Sequence, residues 1–139
     1  MTNKDIIKKF TNLIMRDGKK SIASKLLNSG IKKACKELKL TEDQLLNKCL
    51  DNIKPLIDAR SKKVGNKSYI IPYAITNDQS ICLAIKIIIK AVNNRKENNF
   101  IDRFANELID AYNNKGASIK KRNYIHKSAE INKSFASFR

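Results

Sequence analysis

The sequence predicts a mainly α protein: a six-helix single domain spanning residues 1–139, with a protruding β-hairpin arm. Apolar residues recur at three- and four-residue spacing through most of the chain, which is the helical period. Residues 56–75 abandon that period and read as two β-capable segments around Gly65. Four Gly and two Pro leave little scope for long linkers or low-complexity segments, and the length suits one hydrophobic core.

Each element has a local reason. Ile6, Ile7, Phe10, Leu13 and Ile14 share one face of a first helix at about 3–16, stopped by Gly18. Ile22, Leu26, Ile31, Ala34, Cys35 and Leu38 continue the period in a second helix, which starts near Ser21. Thr41 and Gln44 have capping-box spacing, so a third helix begins there and ends at Pro55. The hairpin, about 57–75, turns through a three-residue link, Gly65-Asn66-Lys67, and Pro72 marks an edge strand. Such a hairpin is marginal alone and must pack on the helices or reach a partner. Thr76-Asn77-Asp78 caps a fourth helix, about 78–92, apolar nearly all round and so the most buried. A fifth helix covers about 99–113, Gly116 ends it, and a basic helix of about 117–139 completes the chain.

Charge is the main clue to function. Lys and Arg number 29 against 13 Asp and Glu, a formal net charge of +16. Self-repulsion of that size calls for an anionic partner. A membrane surface fits poorly. The basic residues are dispersed, and the longest apolar run, from Ile81, is broken by Lys86 and Lys90, short of the roughly 18 residues a span needs. Nucleic acid fits better. Three basic segments stand at helix ends or in the hairpin: Arg16/Lys19/Lys20, Arg60/Lys62/Lys63/Lys67 and Lys120/Lys121/Arg122. The tail adds His126, Lys133 and Arg139, interleaved with Tyr124, Phe135 and Phe138. There, Lys120, Lys121 and Arg122 are expected to face phosphate, with a phosphate seated at the helix N-terminus. Ile125, Ala129, Ile131 and Phe135 are expected to anchor that helix to the body.

A catalytic reading finds no purchase. His126 is the sole histidine and no acid is placed to orient it, so a contact to RNA or to the fold is expected of it. No glycine-rich phosphate loop is present. Cys35, Cys49 and Cys82 lack metal-ligand spacing and read as small apolar residues in a reducing compartment. The expectation is a protein that is not an enzyme and uses no cofactor and no metal. The N-terminus has neither a signal-peptide apolar region nor transit-peptide character, so the chain is expected to be made where it works or to be a mature form.

Three ordered motifs then carry a resemblance. FTNLIMRDGKKSIASKLL (Phe10–Leu27) resembles the opening of the bacterial-type small-subunit ribosomal protein seven family. ARSKKVGNKSYIIPYAI (Ala59–Ile75) is similar to the family's RSRRVGG-x-x-YQVP hairpin, through Arg60, Lys62, Lys63, Val64, Gly65, Tyr69 and Pro72. Ala105–Arg139 resembles the family's ending, through Glu107, Asp110, Gly116, Lys120, Lys121, Arg122, His126, Glu130 and Arg139 among others.

The resemblance implies six helices with a hairpin arm. It also implies a structural protein bound to the 3′ major domain of small-subunit rRNA, where it organises the head. Neighbouring head and platform proteins, and tRNA and mRNA near the exit site, are the implied partners; no membrane is expected. Four departures stand out. The chain begins almost at the first helix, where the family usually has a basic arm. Asn66 replaces a hairpin glycine, the fourth helix lacks the family's tryptophan, and Lys127 and Lys133 stand where Arg is usual. Lys keeps the charge but not the bidentate phosphate geometry. The short N-terminus and the Lys-, Asn- and Ile-rich composition point to an organellar ribosome, mitochondrial before plastid, with the cytoplasm of an AT-rich bacterium as the alternative. From a different class, a free-standing nucleic-acid-binding regulator would show a symmetric dimer surface.

Overall fold

The computed structural model describes residues 2–134. Among them, six helices and one hairpin follow in the expected order. They are α1 (Asn3–Ile14), α2 (Lys20–Leu38), α3 (Glu42–Ile53), β1 (Ile57–Val64), β2 (Lys67–Ala74), α4 (Asn77–Asn93), α5 (Phe100–Tyr112) and α6 (Ala117–Ile131).

Local chemistry sets most of the boundaries. Thr2, Thr41 and Thr76 each head a helix, and each closes a capping box with the residue three places on: Asp5, Gln44 and Gln79. The first helix ends at Ile14 rather than 16. The next turn runs through Asp17 and Gly18, whose φ angles of 55° and 73° no helix accepts. Lys39, at φ 56°, ends α2 in the left-handed conformation.

The core lies where all six helices meet. Phe10 of α1, Leu27 and Ile31 of α2, Leu45 of α3, Ile85 and Ile88 of α4, and Phe104 and Leu108 of α5 are fully or almost fully buried. Phe104 is its hub: it meets Phe10 edge-on at 5.7 Å and stacks on Phe100 at 5.8 Å. Helix α2 approaches that ring through Gly30, where a Cβ would sit 2.7 Å from Phe104 Cδ1. Helix α4 is buried through Ile81, Ala84, Ile85, Ile87, Ile88, Ala91 and Val92, yet Lys86 and Lys90 leave it an exposed stripe.

The hairpin turn is one residue shorter than expected. Lys67 already pairs with Val64, so the link is Gly65-Asn66 alone. Gly65 takes φ 64°, whereas Asn66 is not in the left-handed region, so Asn66 need not do what a second glycine would. Both strands touch α6, and Ile71 and Pro72 are buried there, so the foot of the arm belongs to the packed body. In a two-stranded sheet both strands are edges, which Pro72, opposite Ala59, tolerates. Toward the tip, Lys63 and residues 65–68 are exposed.

Candidate nucleic-acid interface

Strand alternation sorts the hairpin cations. The register pairs Arg60 with Ile71, Lys62 with Tyr69 and Val64 with Lys67, so Arg60, Lys62 and Lys67 share one face with Tyr69 and Tyr73. Lys63, opposite Ser68, lies on the other face. The Arg60 guanidinium sits 5.5 Å from the Tyr73 ring centroid, and its Nε donates to Asp58 at 3.2 Å. Cations beside aromatic rings on an exposed strand are suited to phosphates and bases together.

Helix α4 extends this face. Lys86 and Lys90, four residues apart, project from the same side of the helix. Lys86 meets Arg60 and Lys9 in a hollow at the hairpin foot, which Asp58 and Asp78 also line. On its other side Lys86 joins Lys90 and Lys121 around a groove of about 440 Å³ between α4 and α6, floored by Leu83, Ile87 and Ile125. Among the described residues, no carboxylate lines that groove. A cationic band therefore runs from Arg60 through Lys86 and Lys90 to Lys121. Sequence reasoning missed the two α4 lysines, treating them as interruptions in an apolar run; their i, i+4 spacing was the available signal.

Helix α6 departs from expectation in three ways. Lys120 and Lys121 are exposed, with Lys121 Nζ 5.0 Å from the exposed Tyr124 ring, but Arg122 turns inward. It donates to the Asn52 carbonyl at the end of α3 and, through Nη2, to Asn123 at 2.9 Å. Asn52 in turn caps the end of α5, donating to the Ala111 carbonyl at 2.9 Å. Arg122 thus completes a chain of helix C-caps.

Second, the N-terminus of α6 already has its anion. The fully buried Glu107 accepts from Ser118 N–H at 3.2 Å and Ser118 Oγ–H at 2.6 Å. The phosphate expected there is replaced by a carboxylate of the protein itself. Arg95 balances Glu107 at 2.8 Å, reaches Asp110 at 2.9 Å, and holds the Glu97 carboxyl down to about 2. Neither Arg95 nor the acids it gathers was singled out for a structural role in the sequence.

Third, the anchor differs. Ile125 and Ala129 are buried as expected, but Ile131 is 68% exposed, and Phe135 lies outside the described residues. His126 binds the fold: its Nε2 accepts the Leu56 N–H at 3.1 Å, tying α6 to the start of the hairpin. Burial, and then the Arg122 charge, push its pKa below the usual 6.5.

The remaining expected residues divide by place. Lys133 lines a hollow at the hairpin foot with Leu56, Ile57 and His126. Arg139 lies outside the described residues. Arg16, Lys19 and Lys20 are exposed at the α1–α2 turn, and Arg16 and Lys19 border a separate hollow that none of the band residues lines. Among the described residues there is no group of His, Cys, Asp and Glu that could hold a metal ion, and no helix long and apolar enough to cross a membrane.

Phosphate is the ligand such a surface suits, and the class it fits is a helical scaffold for a polyanion. Residues 1–133 match the family described as Ribosomal protein S7p/S5e. The chain is 40% identical to the small ribosomal subunit protein uS7 of Geotalea uraniireducens over 134 residues, 96% of this chain and 86% of that one. It is 36% identical to the uS7 of Petrotoga mobilis over the same shares, and 40% identical to that of Pelagibacter ubique over 99% of this chain and 88% of the relative. The chain belongs to the S7p/S5e family of ribosomal proteins, as the three sequence motifs implied.

Proposed function

We propose that this chain is a structural constituent of the small ribosomal subunit and binds its rRNA through the band from the hairpin to α6. The observation that carries the reading is the acid-free lysine groove between α4 and α6, continuous through Lys86 with Arg60 at the hairpin foot. Lys62, Lys63, Lys67 and Lys120 extend the footprint, with Lys133 beyond it. Arg122 and His126 act beneath it, by holding α6 and the hairpin in register. The RNA is the 3′ major domain, and the exposed hairpin tip reaches toward tRNA and mRNA near the exit site. Neighbouring ribosomal proteins cover other faces.

Compartment follows the relatives. The three named above are bacterial, so a bacterial cytoplasm fits them, and the mitochondrial placement expected from composition gains no support.

The test is a filter-binding titration of a 3′ major domain rRNA fragment against Lys86→Gln, Lys90→Gln and Lys121→Gln combined. Each lost phosphate contact should reduce the slope of log affinity against log salt by about one. A reduction of about three, with thermal stability retained, is expected. An unchanged affinity and slope would remove the groove from the interface.

A further inference from the structure

Lys121 completes the lysine groove only while the first turn of α6 stays in place, and α6 does little to hold itself there. Thr2, Thr41, Thr76 and Asn99 cap α1, α3, α4 and α5 with their own side chains. Helix α6 starts from Gly116, which has no side chain to offer, and its first turn contains no acid. Lys120, Lys121 and Arg122 instead set three cations near the positive end of a helix. The first four N–H groups of a helix have no partner within it, so a first turn with no outside acceptor frays.

Glu107 of α5 supplies that acceptor from another helix. It is fully buried, and it accepts from both the N–H and the hydroxyl of Ser118, itself fully buried. Gly116 permits the approach: at φ 91° it passes so close that a Cβ would sit 3.1 Å from Asp110 Cβ and 3.4 Å from Glu107 Oε1. A carboxylate so deeply buried needs a counter-charge, which Arg95 gives at 2.8 Å. Arg95 also holds Glu97 at 3.0 Å and Asp110 at 2.9 Å, so it stays paired when Glu107 is neutralised.

We infer that Glu107 is a positioning residue for RNA binding. Buried away from any RNA, it fixes the turn of α6 from which Ala117 and Lys121 enter the groove. Lys121 stands beside Lys86 and Lys90 while that turn is held, and leaves them when it frays. The sign of the effect runs against simple electrostatics. Neutralising an acid raises the net charge above +16, which alone strengthens attraction to a polyanion. Loss of positioning weakens it.

This role rests on the proposed groove, and the test separates the two. Glu107→Gln and Lys121→Gln are made singly and together in the full chain, and each is titrated against the 3′ major domain rRNA fragment. Glu107→Gln keeps the side chain's size and removes its charge. It should weaken binding at least about threefold and lower the slope of log affinity against log salt by about one. Adding Lys121→Gln should then cost less than about twofold more, because the contact is already lost. Amide exchange should quicken at Ser118 and Ile119 and not in α2. Unchanged or tighter binding, a full further loss from Lys121→Gln, or faster exchange throughout α2 would overturn the inference while the groove stands. Should Glu107→Gln fail to fold, Ser118→Ala, which removes only the hydroxyl bond, is read by the same outcomes. Lys121→Gln without effect in the unaltered chain would overturn both.

Discussion

The imidazole of His126 can accept the Leu56 N–H only while Nε2 carries no proton. Its surroundings favour that state: burial disfavours the charged ring, and Arg122 is a cation on the same helix. With the folded pKa below 6.5, the unfolded chain binds more protons in the interval between the two values. The tether's contribution is therefore complete above pH 6.5 and is lost as pH falls through the folded value. An NMR titration should give a midpoint for the His126 ring below 6.5, with the Leu56 amide shift following the same curve. A midpoint at or above 6.5 would mean that the ring is not held as an acceptor.

Elements are held by contacts that propensity cannot anticipate, and α2 shows this at Gly30. Glycine inside a helix is normally worse than alanine by about 0.5–1 kcal/mol. Here an added Cβ would fall 2.7 Å from Phe104 Cδ1, and that ring is wedged between Phe10 and Phe100. Gly30→Ala should destabilise the protein by about 1–3 kcal/mol despite the propensity gain. A urea denaturation midpoint lowered at unchanged slope is the expected result; a raised midpoint would show that the ring can give way. The same rule governs α6, whose cap comes from Glu107 in another helix and not from its own first residues.

For the whole molecule, a net charge of +16 over 139 residues means that the proposed binding to rRNA should be mainly electrostatic. With roughly six or more phosphates neutralised, affinity should fall by about three to five orders of magnitude between about 50 and 200 mM salt. A nearly flat salt response would contradict the proposed footprint. The single-domain helical body with a hairpin keeps the band together: β1, α4 and α6 contribute cations that lie as much as 61 positions apart, from Arg60 to Lys121.

The sequence by itself determined the helices, the hairpin and the excess of positive charge. Their causes are local: Thr41 needs only Gln44, and Gly65 only its own freedom at positive φ. The sequence also carried the family, through motifs whose order and spacing survive in one dimension. The tertiary structure decided where individual side chains went. Arg122 looked like an RNA contact, and His126 like a contact to RNA or to the fold, because the partners that decide between these are not near them in the chain. Their partners, Asn52 and Leu56, are each 70 residues away and reach them only when α6 packs against α3 and the hairpin foot. Lys86 and Lys90 moved the opposite way, from interruptions in a buried helix to the centre of the band, because α4 keeps one exposed side beside α6. A hydrogen bond or a shared groove depends on distance in space, and only folding fixes that distance for residues far apart along the chain.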